Sequence, residues 1–146
     1  MNRKGLGNKM IYTATVKDAD ALLELNSLFG NETTIELLRQ SIIENDCEIV
    51  GVAYIDNTAV GYCTGLITKS MCYSKCRLDI EALYVKENHR NRGIGKELLA
   101  FVEQCGISRG IHHFHINAYP NNGAAFDIYS KQGYIASGEV LLEKDA

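Results

Sequence analysis

The stretch from Leu83 to Leu99 constrains this chain more than any other. Leu83-Tyr84-Val85 is apolar and β-prone, and Lys86 to Arg92 is a polar, basic turn. Gly93 and Gly95 follow, and apolar residues recur at Ile94, Leu98, Phe101, Val102 and Cys105 with helical spacing. The pattern predicts a strand, a tight turn and a helix N-terminus. The first N–H groups of such a helix lack partners, and the positive end of its dipole faces outward. Glycines let the backbone approach a ligand closely, and Arg90, Arg92 and Lys96 add positive charge. The physical reading is a phosphate cradle. Two common phosphate motifs do not fit it. A dinucleotide fingerprint needs glycine where Leu98 stands, and a P-loop needs glycine at Arg90 and Ser or Thr at Glu97. A plain strand-to-helix turn with surface arginines is the competing reading of this stretch alone.

The rest of the chain bounds what surrounds the turn. Its 146 residues suit one domain with a single core. Residues 1–9 are polar and basic and read as a flexible arm, which leaves residues 10–146 as the domain. A hydrophobic fraction of 46% with one proline argues against disorder. There is no run of about 18 apolar residues to span a membrane, and no apolar run follows the basic N-terminus as a signal peptide requires. Cysteines 47, 63, 72, 76 and 105 are odd in number and lack a framework pattern, so reduced thiols in a cytoplasmic protein are expected. Cys72 and Cys76 have no second Cys/His pair at zinc spacing, and no metal is expected. A net charge of −3 disfavours nucleic acid as the main partner and suits a cationic substrate drawn to an acidic cleft.

Taken in order, residues 11–15 alternate as a first strand, and 18–28 form a helix broken at Gly30-Asn31. Thr33-x-x-Glu36 has the form of a capping box and opens a helix over 33–45. Residues 47–55 and 58–69 read as a hairpin turning at Asp56-Asn57, although no glycine sits in that turn. A strand over 77–85 leads into the cradle, and the helix beyond it stops near Gly110. Residues 111–118 are β-rich, 124–132 form a short helix ended by Gly133, and 134–143 suit a final strand. The order β-αα-βββ-α-β-α-β predicts an α/β chain, a mixed sheet with helices on both faces.

Three segments carry a family resemblance. Arg90-Asn91-Arg92-Gly93-Ile94-Gly95 resembles the Arg/Gln-x-x-Gly-x-Gly/Ala signature of GNAT N-acetyltransferases, with Leu83-Tyr84-Val85 like the strand before it. Asn122-x-x-Ala125-x-x-Ile128-Tyr129-x-Lys131-x-Gly133-Tyr134 is similar to the family's Asn-x-x-Ala-x-x-Leu-Tyr-x-Lys-x-Gly-Phe. Val60-Gly61-Tyr62 matches its usual Val-Gly-Phe/Tyr. The resemblance implies the GNAT fold, a mostly antiparallel mixed sheet of six to seven strands, and transfer of an acetyl group from acetyl-CoA to a primary amine.

It also implies roles for residues. The amides of Arg90, Asn91, Arg92, Gly93, Ile94, Gly95 and Lys96 would hold the pyrophosphate, with charge from Arg90 or Arg92. The pantetheine arm would pair as an added strand with Leu83, Tyr84 and Val85. A β-bulge is common on this strand, and a freed N–H near Val85 would hold the thioester oxygen. Asn122 and Ala125 belong to the cofactor-binding segment, although helix capping alone also explains Asn122. Glu81 and Asp79, two apart on one strand and so on one face, both stand at base positions of different branches, and the base can act through water. Tyr129 stands at the position of the general acid, against an ordinary packing role. His112, His113 and His115 read as solvent-facing or satisfied strand residues. The acceptor implied is a small cationic amine, aminoglycoside-like or polyamine-like. A protein lysine or N-terminal amine is the alternative, and a non-catalytic acyl-CoA-binding sensor is the alternative of another class. Only twelve residues follow Tyr134, so the sheet is expected to end on an open edge, with a homodimer through the C-terminal strand as the hypothesis that follows.

Overall fold

The computed structural model describes residues 7–146. Its strands are β1 (Lys9–Thr13), β2 (Glu48–Ile55), β3 (Thr58–Thr68), β4 (Arg77–Val85) and β5 (Phe114–Ile116), and its α-helices are α1 (Ala19–Phe29), α2 (Ile35–Glu44), α3 (Ile94–Ser108) and α4 (Gly123–Lys131). They form one sheet in the order β1-β2-β3-β4-β5. All neighbours are antiparallel except β4 and β5, which run parallel. The arm expected over residues 1–9 falls outside the described residues up to residue 6, and Lys9 already belongs to β1.

Local chemistry explains most boundaries. The β2–β3 turn holds Asp56 and Asn57 at φ 47° and 64°. A two-residue turn with both central residues left-handed matches the twist of a hairpin, and Asp and Asn accept that conformation without glycine. The N-cap of α2 is Thr34, whose hydroxyl accepts from the Leu37 N–H at 3.2 Å, so the expected box at Thr33 sits one residue early. A reciprocal box forms instead at Thr15, whose N–H donates to Asp18 at 2.8 Å. Buried Asp18 also accepts from Tyr12 (3.0 Å) and Tyr54 (2.8 Å), tying the start of α1 to β1 and β2.

The sheet is packed on both faces. On one face Ile94, Leu98, Leu99 and Val102 of α3 pack against Ile49, Ala53, Cys63, Leu78 and Ile80. On the other, Leu22 and Leu25 of α1 pack against Val52, Ala59 and Tyr62. α2 lies on this second side and buries no residue fully.

Two expectations are corrected. The sheet has five strands among the described residues, and no strand forms over 134–143. A strand needs a neighbour for its backbone groups. Here β5 is three residues long, and Gly138 turns the chain at φ 83°. The tail leaves Ile135 and Leu142 about nine-tenths exposed, at 90% and 89%.

Candidate active site

The cradle forms as its sequence requires. A single turn over Glu87–His89 follows β4, Asn91 is left-handed at φ 61°, and Gly93 is the N-cap of α3 at φ 79°. A side chain at residue 93 would strain that conformation. Among the described residues no side chain caps α3, so its first N–H groups are available to an anion with the dipole behind them. Gly95 differs from Gly93. A Cβ there would lie 3.5 Å from Ile128 and 3.8 Å from Val85, which are ordinary contacts. The two arginines also differ. Arg90 Nε donates to the Val85 carbonyl at 2.9 Å, and its guanidinium lies 5.7 Å from the Tyr84 ring centroid. Arg92 is exposed beside the helix start.

β4 carries the second half of the site. Its parallel pairing with β5 covers only Leu78, Asp79 and Ile80 against Phe114, His115 and Ile116. β5 then stops while β4 continues to Val85, so the sheet opens along the outer edge of residues 81–85. A register shift falls at the same point. Thr64 pairs with Ala82 and Gly65 with Ile80, which leaves Glu81 as the extra residue of a β-bulge. The expected bulge on this strand therefore lies at Glu81, and β3–β4 pairing beside Val85 is regular.

The bulge decides where the acids point. Leu78 and Ile80 pack on the α3 face, and so do Leu83 and Val85, a change of parity that the extra residue absorbs. Asp79 accepts from Thr68 Oγ1 at 2.5 Å and from Arg77 Nε at 2.8 Å. His115 Nδ1 lies 3.8 Å from the same carboxylate, and its Nε2 is 2.9 Å from His113 Nε2. His113 and His115 thus join Asp79 in a network that their spacing did not announce. Glu81 is exposed, and its pKa is raised by partial burial, then by Asp79, then by Glu48. Asp79 is near enough to Glu81 for its charge to raise the Glu81 pKa.

Glu48 is the acid that sequence reasoning missed. It accepts a hydrogen bond from Ser41 of α2. With Asn26, Ser41, Tyr62 and Thr64 it lines a cleft of about 200 Å³ between α1, α2 and the sheet. The alternation Glu48-x-Val50-x-Val52 on β2 was the available signal. Val50 and Val52 belong to the α1 face, so Glu48 does too.

Tyr129 comes from the opposite side. It lies on α4, packs against the α3-side core, and stacks edge-on to Tyr134 at 6.2 Å. Burial raises its pKa, and the neighbouring Cys63 adds to this, so the hydroxyl holds its proton at neutral pH. Asn122 Oδ1 accepts from the Ala125 N–H at 3.2 Å, the capping contact that is one of its two readings. Among the described residues no three His, Cys, Asp or Glu side chains form a metal-binding group, and no helix is long and apolar enough to cross a membrane.

The arrangement is a gap in a sheet, with carboxylates on one side, a protonated tyrosine on the other and an uncapped helix start at its end. Proteins of known kind share its frame. A model of the acetyltransferase (GNAT) family matches residues 19–134. Aminoglycoside N(6')-acetyltransferase type 1 of Salmonella typhimurium is 23% identical over 106 residues, which are 70% of this chain and 73% of that protein. The structure of AAC(6')-Iy in complex with a bisubstrate analogue, CoA-S-monomethyl-acetylneamine, superposes with a TM-score of 0.84 at 18% identity, covering 96% of this chain and 99% of that one. A ribosomal-protein-alanine N-acetyltransferase from Brucella melitensis biovar Abortus 2308 gives a TM-score of 0.79 at 15% identity, covering 95% and 100%. The chain belongs to the GNAT family and is an acetyl-CoA-dependent N-acetyltransferase.

Proposed function

We propose that this enzyme acetylates a primary amine of a small polycation, aminoglycoside-like or polyamine-like, and that residues 10–146 act as one catalytic domain in the cytoplasm. The observation that carries the reading is the opening of the sheet at the Glu81 bulge, between an acidic cleft and Tyr129. The pyrophosphate of acetyl-CoA sits on the amides of residues 90–96, with Arg92 adding charge and Arg90 bracing the turn. The pantetheine arm pairs with the free edge of Leu83 to Val85. A thioester threaded there meets both sides of the sheet.

An alkylammonium must lose a proton before it attacks, since its pKa is near ~10.4. Glu81, with no side-chain hydrogen-bond partner among the described residues and a raised pKa, is the better base. Asp79 is held by Thr68 and Arg77 and acts as a fixed charge beside it. Attack makes the C–N bond, collapse of the tetrahedral intermediate breaks the C–S bond, and Tyr129 gives its proton to the departing thiolate. Glu48 and Asp79 attract the remaining cationic groups of the acceptor.

The aminoglycoside acetyltransferases among its relatives support the acceptor class. The Brucella enzyme supports a second reading, a protein N-terminal amine, through the fold alone. A homodimer is proposed through the tail, where Ile135, Val140, Leu141 and Leu142 are exposed beyond the short edge strand β5. Incubation with acetyl-CoA and a panel of polyamines, aminoglycosides and alanine-started peptides, followed by free thiol release, tests the reading. Turnover with the polycations is expected. Turnover with the peptides alone overturns the acceptor class, and tight acetyl-CoA binding with no turnover on any amine of the panel overturns both acceptor readings.

A further inference from the structure

α4 brings Tyr129 to the gap, yet it has little to hold it. It is nine residues long and buries no residue fully. A helix of that length is marginal without tertiary support. The segment that follows it supplies the support. Gly133 turns left-handed at φ 92°, and the Tyr134 N–H then donates back to the Tyr129 carbonyl at 3.0 Å. This closes the helix with a Schellman-type bond. The Tyr134 ring stacks edge-on against the Tyr129 ring, with centroids 6.2 Å apart and planes at 62°. Its hydroxyl donates to Glu103 Oε1 of α3 at 2.6 Å. The motif this segment resembles ends in Gly-Phe, and phenylalanine has no such hydroxyl.

We propose that Tyr134 and Glu103 form a tether that fixes the ring of Tyr129, and through it the aim of the Tyr129 hydroxyl at the leaving thiolate. The proposal rests on the reading of Tyr129 as the acid. Tyr134 and Glu103 act through Tyr129 and are positioning residues. α3 is the most firmly buried helix of the fold, with Leu98, Leu99 and Val102 at 0% exposure, so Glu103 is a rigid anchor. The carboxylate acceptor makes this a charge-assisted bond, shorter and stronger than a neutral one. Burial and the Glu103 carboxylate raise the Tyr134 pKa, so Tyr134 stays a donor across the working pH range.

A double-mutant cycle tests the tether. Tyr134→Phe keeps the ring and removes only the hydroxyl. It should lower kcat about tenfold, the fold-change if roughly one such bond's free energy is lost from the aim of the acid, and leave the KM for acetyl-CoA unchanged. Glu103→Leu should match it, and Glu103→Gln, which still accepts, should restore most of kcat. In a Tyr129→Phe background Tyr134→Phe should lower kcat no further, because the group it positions is gone. If Tyr134→Phe or Glu103→Leu costs as much kcat in that background as in the wild type, the effect is structural and the tether is wrong. If Tyr129→Phe lowers kcat while Tyr134→Phe and Glu103→Leu do not, the tether alone falls. If Tyr129→Phe leaves kcat intact, the acid assignment falls and takes the tether with it. Circular dichroism melts of each variant separate loss of fold from loss of aim.

Discussion

The two faces of the sheet are built differently. On the α3 face, four residues of one helix are at most 2% exposed and lock the cradle to β4. On the other face α1 is anchored by Leu22 and Leu25, but α2 buries nothing fully and leaves a cleft of about 200 Å³ over Glu48 and Thr64. On the proposed reading the first face holds the cradle for a cofactor with one fixed shape. The second is loosely closed, and on the proposed reading acceptor choice can change there without disturbing the core.

The sharpest way to break the comparison is through the acids of the looser face. Glu81→Gln should lower kcat by about 100-fold or more, the usual contribution of a general base, with the KM for acetyl-CoA unchanged. Asp79→Asn should cost less in kcat and more in the KM for a polycation, because its carboxylate is already occupied by Thr68 and Arg77. The reverse ranking in steady-state kinetics would make Asp79 the base.

Stability offers the next contrast. Leu98→Ala removes a side chain at 0% exposure and should cost about 2–5 kcal/mol by urea unfolding. Leu38→Ala on α2 removes a half-buried one and should cost about 1 kcal/mol. Equal losses would mean that α2 is as firmly packed as α3. Within the cradle, Gly93→Ala forces a Cβ into φ 79° and should cost about 1–2 kcal/mol and weaken acetyl-CoA binding. Gly95→Ala meets only ordinary contacts and should stabilise the free protein by up to about 1 kcal/mol. Any loss of acetyl-CoA affinity in Gly95→Ala then measures how closely the ligand approaches that backbone.

The same asymmetry governed what could be read from the chain. The cradle was legible because its needs are local: a β-prone run, left-handed glycine and a helical repeat lie within seventeen residues, Leu83 to Leu99. β4 matched its expected span, Arg77–Val85, for the same reason. The Glu81 bulge was not legible at its position, since it arises from pairing with Thr64 on another strand. Glu48 was missed because its neighbours Asp79 and Glu81 lie some thirty residues away in sequence and meet it only across the sheet. The tail over 134–143 alternates like a strand, but alternation describes a side-chain pattern and cannot supply the missing partner edge. His113 and His115 are satisfied, one of the two outcomes expected of them, but their link to Asp79 was not legible because it comes from the parallel register of β4 and β5.

The smallest effect tests whether the carboxylates of the looser face act as one electrostatic unit. Burial raises the Glu81 pKa first, and the negative charges of Asp79 and Glu48 raise it further. A base works only when ionised, so kcat/KM should rise with pH through a limb lying above the ordinary carboxylate value of about 4.3. Removing a neighbouring negative charge makes ionisation of Glu81 easier. Asp79→Asn and Glu48→Gln should therefore each move that limb to lower pH, with Asp79→Asn moving it more, in keeping with the order of the two causes. Glu81→Gln should abolish the limb. A pH–rate profile with a polyamine acceptor reads all three. If the limb stays fixed when Asp79 and Glu48 lose their charge, the carboxylates are not coupled, and the cleft attracts its cation by separate contacts rather than by a shared field.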